Sequence, residues 1–300
     1  MKKHHDERVG EWASIGHLVL TGFWPVGANY GVQFLPPVEL LGIATLISGF
    51  FFLVMTLKKG QLGQLFHWKI FWSCALYTCF LLIPYVAIFY ATQYTSAINT
   101  SLFIQSEVVF ATLVGWLILK ENLQLNRWLG VLCIVVANLV VLYQGSIQLN
   151  LADLVLICVP LFFVFGNAVA KRLQAQGLGW APLLLFRGAV GGSTLMFFSA
   201  IFEDVKVPDL DLWPFLLIFG IFAFGIPKAL WQISLHRTDL SKTTAIGLSY
   251  PVFSFLLAYV WLGEVPNPYQ WSGLLISFLG IYFLLKSSSR RAAELAAPAE

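Results

Sequence analysis

Apolar residues fall along this chain in ten blocks, at roughly 12–33, 38–57, 70–92, 97–119, 127–144, 152–170, 180–201, 212–235, 242–263 and 269–286. Each is close to the ~20 residues that a helix needs to cross a hydrocarbon core. The polar connections between them are short and leave no room for a separate soluble domain. Only residues 1–11 and the tail 287–300 stand outside the blocks, and the tail has the composition of a disordered segment. The first block follows the polar start MKKHHDERVGEW without a small-residue cleavage site, so it reads as a retained helix.

Basic residues give this pattern a direction. With the N-terminus in the cytoplasm, fifteen of the eighteen Lys and Arg fall on inner segments, Lys206 alone falls in an outer loop, and Arg187 and Lys228 lie within blocks. Adding or losing one helix would scramble that alternation. The expectation is an all-α polytopic membrane protein with ten transmembrane helices and both termini cytoplasmic, in a bacterial-type inner membrane.

Composition agrees: 58% of residues are hydrophobic and 11% charged, against about 25% charged in soluble domains. The four cysteines sit inside apolar runs without metal-like spacing and read as small buried hydrophobes.

The chain also repeats. Sliding it by 143 residues lays Thr95–Leu132 over Thr238–Leu275 with eleven coincidences, among them Glu121/Glu264, Trp128/Trp271 and Gly130/Gly273. The same offset pairs Pro84 with Pro227. A weaker match at an offset of 138 pairs Trp24–Asn29 with Phe162–Asn167. Two units follow, 12–144 and 152–286. Five helices is an odd number, so the second unit enters the membrane in the opposite sense. Inverted five-helix repeats of this kind are a mark of secondary transporters, with the binding site near the midplane.

On these residues the chain resembles the EamA-type carriers of the drug/metabolite transporter superfamily. The second half carries the resemblance best, through Ser249-Tyr250-Pro251-Val252-Phe253 followed by Leu262-Gly263-Glu264, with Lys171 and Arg187 at positions usually basic. The first half departs, with Val108 in place of the proline, Lys120 in place of the glycine and Ala44 in place of the arginine. The resemblance covers about residues 12–286. It implies a carrier that exports or exchanges a substrate, with a cavity lined by helices one, three, four, six, eight and nine.

Three charges lie well inside the blocks: Glu107, Arg187 and Lys228. An ionised side chain there costs at least ~2.5–3.5 kcal/mol unless it pairs or faces water. At 1.5 Å per residue, Glu107 lies about 15 Å from the outer end of its helix and the two cations about 23–24 Å from that side. In one cavity they would sum to +1 and suit a carboxylate, with Glu107 taking an ammonium or a proton. The alternative is a structural ion pair of Glu107 with Lys228, with Arg187 as a candidate charge partner or a residue snorkelling to the inner face.

Trp24, Tyr85, Tyr90, Trp231 and Tyr250 are the candidate aromatic contacts, and Asn29 and Asn167 the candidate amides, each weighed against simple packing or interhelical bonding. Pro84, Pro227 and Pro251 are candidate hinges. Glu121 and Glu264, repeated at helix ends, read as caps or gates. His17 reads as an interfacial anchor. The acidic stretch Glu203–Asp211 reads as a solvated loop.

No P-loop, nucleophile elbow or paired metal-ligand spacing is present, so no cofactor, metal or nucleic-acid partner is expected. The expected function is secondary active export of an amino acid or related carboxylate, with proton or counter-substrate coupling. Its expected partners are a small-molecule substrate and membrane lipid, with monomer and dimer both open. Alternatives are a multidrug or cation efflux carrier and, from another class, a polytopic membrane enzyme or receptor-like binding protein.

Overall fold

A computed structural model describes residues 2–117, 124–145, 150–237, 243, 246, 247 and 249–296, with the backbone alone for 2–7 and 287–296. It is 85% helical, with no strand among the described residues. In order, the helices are α1 (Lys2–Thr21), α2 (Phe23–Gly31), α3 (Pro37–Lys58), α4 (Trp68–Ala91), α5 (Ala97–Phe103), α6 (Glu107–Leu117), α7 (Leu125–Tyr143), α8 (Leu151–Cys158) and α9 (Pro160–Ala175). They continue as α10 (Trp180–Phe186), α11 (Gly192–Phe202), α12 (Trp213–Phe219), α13 (Ile226–Arg237), α14 (Pro251–Leu257) and α15 (Pro268–Ala296).

Several pieces join end to end. A 3-10 turn, Ile104–Ser106, links α5 to α6, and π turns at Arg187–Gly191 and Gly220–Gly225 link α10 to α11 and α12 to α13. Among the described residues, eight helices are long and apolar enough to cross a membrane. The ten blocks of the sequence differ from these eight at two places. The first block is helical but breaks at Gly22, and its leading part carries the polar N-terminus. The ninth is described as the short apolar stretch Pro251–Leu262.

The break at Gly22 has a cause. A Cβ there would stand 2.5 Å from Phe253 Cβ, and the Ser254 hydroxyl donates to the Gly22 carbonyl at 3.0 Å. The lack of a side chain at Gly22 therefore lets α14 cross closely where the two helical pieces meet. Pro251 opens α14 at a first-turn position, where its missing N–H costs nothing. Pro84 lies inside α4, and Pro227 follows directly on the second π turn.

Small residues set the other crossings. A Cβ on Gly49 of α3 would come within 2.7 Å of the Gly188 carbonyl carbon, so the two backbones touch. The repeated pair Gly130 and Gly273 serves one contact between α7 and α15. A Cβ on Gly130 would stand 2.8 Å from the Gly280 carbonyl, and one on Gly273 would overlap Val141. The last helices of the two matching segments thus pack on each other through the glycines that the sequence repeats.

Candidate functional site

Six helices and the segment before α14 converge on a small cavity of about 60 Å³. The spacing of its residues is helical: Tyr77, Leu81 and Tyr85 on α4, Phe163 and Asn167 on α9, and Lys228, Trp231 and Gln232 on α13. Residues three and four apart share one face of a helix, so each element presents a stripe. His17 and Thr21 on α1 and Trp24 on α2 form a fourth stripe.

Glu107 is the first residue of α6, directly after the 3-10 turn, and is 8% exposed. The turn is pinned by the Ser106 hydroxyl, which donates to the Ile157 carbonyl at 2.6 Å. Asn167 Nδ2 donates to Glu107 Oε1 at 3.0 Å, and Trp231 Nε1 donates to Asn167 Oδ1 at 3.0 Å. The indole can only donate, so it orients the Asn167 amide and turns the NH2 group toward the carboxylate. Asn167 therefore positions Glu107, and the carboxylate keeps acceptor capacity for something else in the cavity.

Lys228 stands across this space. Its Nζ lies 5.2 Å from the Tyr85 ring centroid, a cation–π distance. Among the described residues it makes no salt bridge within 4.0 Å and no hydrogen bond. A carboxylate and an ammonium thus line one cavity without closing on each other. Tyr250 adds a hydroxyl that is buried and has no hydrogen-bond partner among the described residues.

Three further lining residues carry polar groups that bear on the site. His17 is buried in the cavity wall, against its reading as an interfacial anchor. Its Nδ1 lies 2.9 Å from the Pro227 carbonyl, so Nδ1 carries the hydrogen and Nε2 accepts from the Thr21 hydroxyl at 3.2 Å. Tyr77 and Gln232 form a second polar edge: Gln174 Nε2 bonds Gln232 Oε1 at 2.5 Å, and Gln232 Nε2 bonds the Tyr77 hydroxyl at 3.1 Å. The i, i+4, i+8 spacing of Tyr77 with Tyr85 was the available signal.

Of the sequence candidates, Trp24, Tyr85, Glu107, Asn167, Lys228, Trp231 and Tyr250 line this cavity. Asn29 stands elsewhere: its Nδ2 donates to the Thr92 and Thr95 carbonyls, both at 3.0 Å, and ties α2 to the turn after α4. Tyr90 also stands outside, its hydroxyl donating to Glu203 Oε1 at 2.7 Å. Arg187 is 1% exposed and does not line the cavity. Its Nη2 donates to the Phe224 carbonyl at 3.0 Å, while Nε and Nη1 have no protein acceptor among the described residues. With Arg187 behind the wall, the formal charges that face the cavity sum to zero rather than +1. Glu264 caps the start of α5, and Glu121 lies outside the described residues.

The positioning of Glu107 makes a prediction. Removing a hydrogen bond to a charged group costs ~1.5–3 kcal/mol. Asn167→Ala is therefore expected to raise the substrate KM about tenfold or more, with little change in KM when added to Glu107→Gln. Equal effects in both backgrounds would show that Asn167 acts independently of Glu107.

Comparisons with known proteins bear on the family and the fold. A model of the EamA-like transporter family matches residues 8–143 and again 150–286. The chain is 23% identical over 283 residues to the uncharacterized transporter YoaV of Bacillus subtilis, covering 91% of this chain and 95% of that one. An uncharacterized transporter of Methanothermobacter thermautotrophicus is 24% identical over 63% of this chain and 57% of its own length. ArnF of Klebsiella pneumoniae, a probable 4-amino-4-deoxy-L-arabinose-phosphoundecaprenol flippase subunit, is 32% identical over 33% of this chain and 85% of its own. A solved protein structure superposes with a TM-score of 0.72 at 16% identity, covering 95% of this chain and 99% of that one, a likeness of fold.

Proposed function

This chain belongs to the EamA-like transporter family and is a multi-span membrane transporter; from that premise we propose that it is a secondary carrier exporting a small amphipathic zwitterion. An amino acid or close amino-carboxylate is the substrate class that the site suits best. The observation that carries this reading is the placement of Glu107 and Lys228 in one cavity without an ion pair between them. An ammonium on the ligand satisfies Glu107, a carboxylate satisfies Lys228, and the complex is neutral in a setting where net charge is costly. The rings of Trp24, Tyr85 and Trp231 supply apolar contact for the rest of the molecule.

The working cycle we propose is alternating access. Two inverted five-helix halves, 12–144 and 152–286, rock about the cavity in an inner membrane with both termini cytoplasmic. The broken first helix and the stretch ending at Leu262 complete ten spans. The two separate matches of the family model support this two-unit reading. Pro84 lies within α4, Pro227 just after the second π turn and Pro251 at the start of α14, and these three serve as hinges. Energy comes from a proton carried at Glu107 or from a counter-substrate.

A cationic drug is a poorer ligand than a zwitterion, because Lys228 would repel it from the same space. Counterflow in proteoliposomes separates the two. Radiolabelled amino acid should be driven inward against an outward gradient of unlabelled amino acid, and tetraphenylphosphonium should neither drive nor inhibit it. Drive by the organic cation alone would overturn the zwitterion reading.

A further inference from the structure

We infer that Glu203 and Glu264 are a pair of latches that hold the outer face of the carrier shut. Both belong to 152–286, and both close on helix starts in 12–144. Glu203 follows the last turn of α11. Its Oε1 accepts from Val38 N at 3.0 Å and from the Tyr90 hydroxyl at 2.7 Å, and its Oε2 accepts from Glu39 N at 3.1 Å and Ser199 Oγ at 2.9 Å. Glu264 follows Gly263, whose φ of 69° turns the chain back. Its Oε1 accepts from Ala97 N at 2.9 Å and its Oε2 from Ile98 N at 3.2 Å.

The chemistry of these contacts is the same at both places. The first-turn N–H groups of a helix have no partner within the helix, and the helix dipole favours negative charge there. Pro36 and Pro37 begin α3 without any side-chain cap of their own, so Glu203 supplies what α3 lacks. A carboxylate held by two such donors makes short, charge-assisted bonds. Tyr90 and Ser199 complete the four bonds at Glu203.

Among the described residues the opposite face is joined differently at the place that matches Glu203, while Glu121, the repeat partner of Glu264, lies outside them. There Gln64 Oε1 accepts a single bond from Gly179 N at 3.0 Å, and Lys59 Nζ lies 4.2 Å over the Trp180 ring. Gly179 is two residues from Ala181, the position that the 143 offset pairs with Val38. A neutral amide therefore stands near the place that a carboxylate fills on the outer face. Between the latches and the cavity, Phe89, Phe219 and Phe224 pack with ring centroids 5.5–6.4 Å apart. Opening to the outside requires both carboxylates to leave their helix starts.

This inference rests on the alternating-access reading for what the latches do in transport, but its test needs no substrate. In a background without the four native cysteines, spin labels are placed at Tyr94 and Val207, which are 71% and 92% exposed on the outer face of the two units. A second pair at His67 and Gln176, both exposed, reports the inner face. The parent should give one short outer distance. The Glu203→Ala/Glu264→Ala protein should populate a longer outer distance at least about tenfold more, as expected for the loss of charge-assisted bonds, with no lengthening at the inner pair. Glu203→Gln/Glu264→Gln, which keeps one acceptor oxygen per side chain, should fall between. An unchanged outer distance overturns the proposal. Broadening at both faces overturns it as well, since the carboxylates would then be general braces of the fold. A failed transport assay with the outer pair responding as expected would count against the substrate reading alone.

Discussion

Glu107→Gln is expected to raise the KM for a zwitterionic substrate by about 30-fold or more in proteoliposomes. The substitution keeps size and leaves an oxygen for Asn167 Nδ2, so the wall of the cavity stays in place. What it removes is the charge that receives the ligand's ammonium, and losing one member of a buried charge pair costs ~2–5 kcal/mol. The same change removes the site at which a proton would ride. The rate of the Glu107→Gln carrier should therefore stop responding when the proton gradient is reversed. A wild-type KM would end the role of Glu107 in binding, and a retained gradient response would move coupling to another residue.

Lys228→Met is expected to reverse the preference of the site. Without the ammonium, the carboxylate of the ligand is buried with no partner, while Glu107 still attracts a cation. The parent amino acid should lose about 30-fold in affinity, and its amide or decarboxylated amine should now bind at least as well as the parent. Removing one of two facing charges also leaves the other uncompensated, so Lys228→Met alone should melt lower than the parent carrier. The Glu107→Gln/Lys228→Met protein should recover part of that loss, since replacing both members of a buried pair is much less costly than breaking it. A ligand profile in Lys228→Met identical to that of the parent would remove Lys228 from the site.

Much of this site is legible in the sequence, and the reason is composition. In apolar blocks a lone Glu or Lys is conspicuous, so Glu107 and Lys228 stood out from sequence alone. Arg187 stood out equally and was weighed with them, but sequence does not say which neighbours a helix face meets. In the structure that side chain lies behind the cavity wall, with Nη2 on the Phe224 carbonyl. Asn167 and Trp231 were named as ligands, while the geometry makes one orient the carboxylate and the other orient the amide. The two bonds of this relay join residues 60 and 64 positions apart and have no local signature.

Glu203 shows the opposite case. It lies in an acidic stretch whose composition is that of any solvated loop, and only the approach of α3 and α4 reveals three of its four bonds. Tyr90 stands outside the cavity, which its sequence position does not reveal. Its helix also lines the cavity, but Tyr90 lies five residues beyond Tyr85, toward the outer end. His17 was read from its distance to the chain's polar start, which overlooked that α1 turns this face inward onto α13. The repeat, by contrast, was legible because glycines that set a close crossing tolerate little change. Gly130 and Gly273 meet the facing helix in matching fashion.

The central claim is that one cavity holds both ends of a zwitterion, and a binding series on the purified carrier tests it most directly. Three ligands of one skeleton are titrated calorimetrically: the amino acid, its methyl ester without the carboxylate, and its deamino acid without the ammonium. The intact zwitterion is expected to bind at least about 30-fold tighter than either truncated form. Glu107→Gln is expected to erase only the advantage over the deamino acid, and Lys228→Met only the advantage over the ester. Equal affinity for all three ligands, or loss of both advantages in each variant, would contradict the claim.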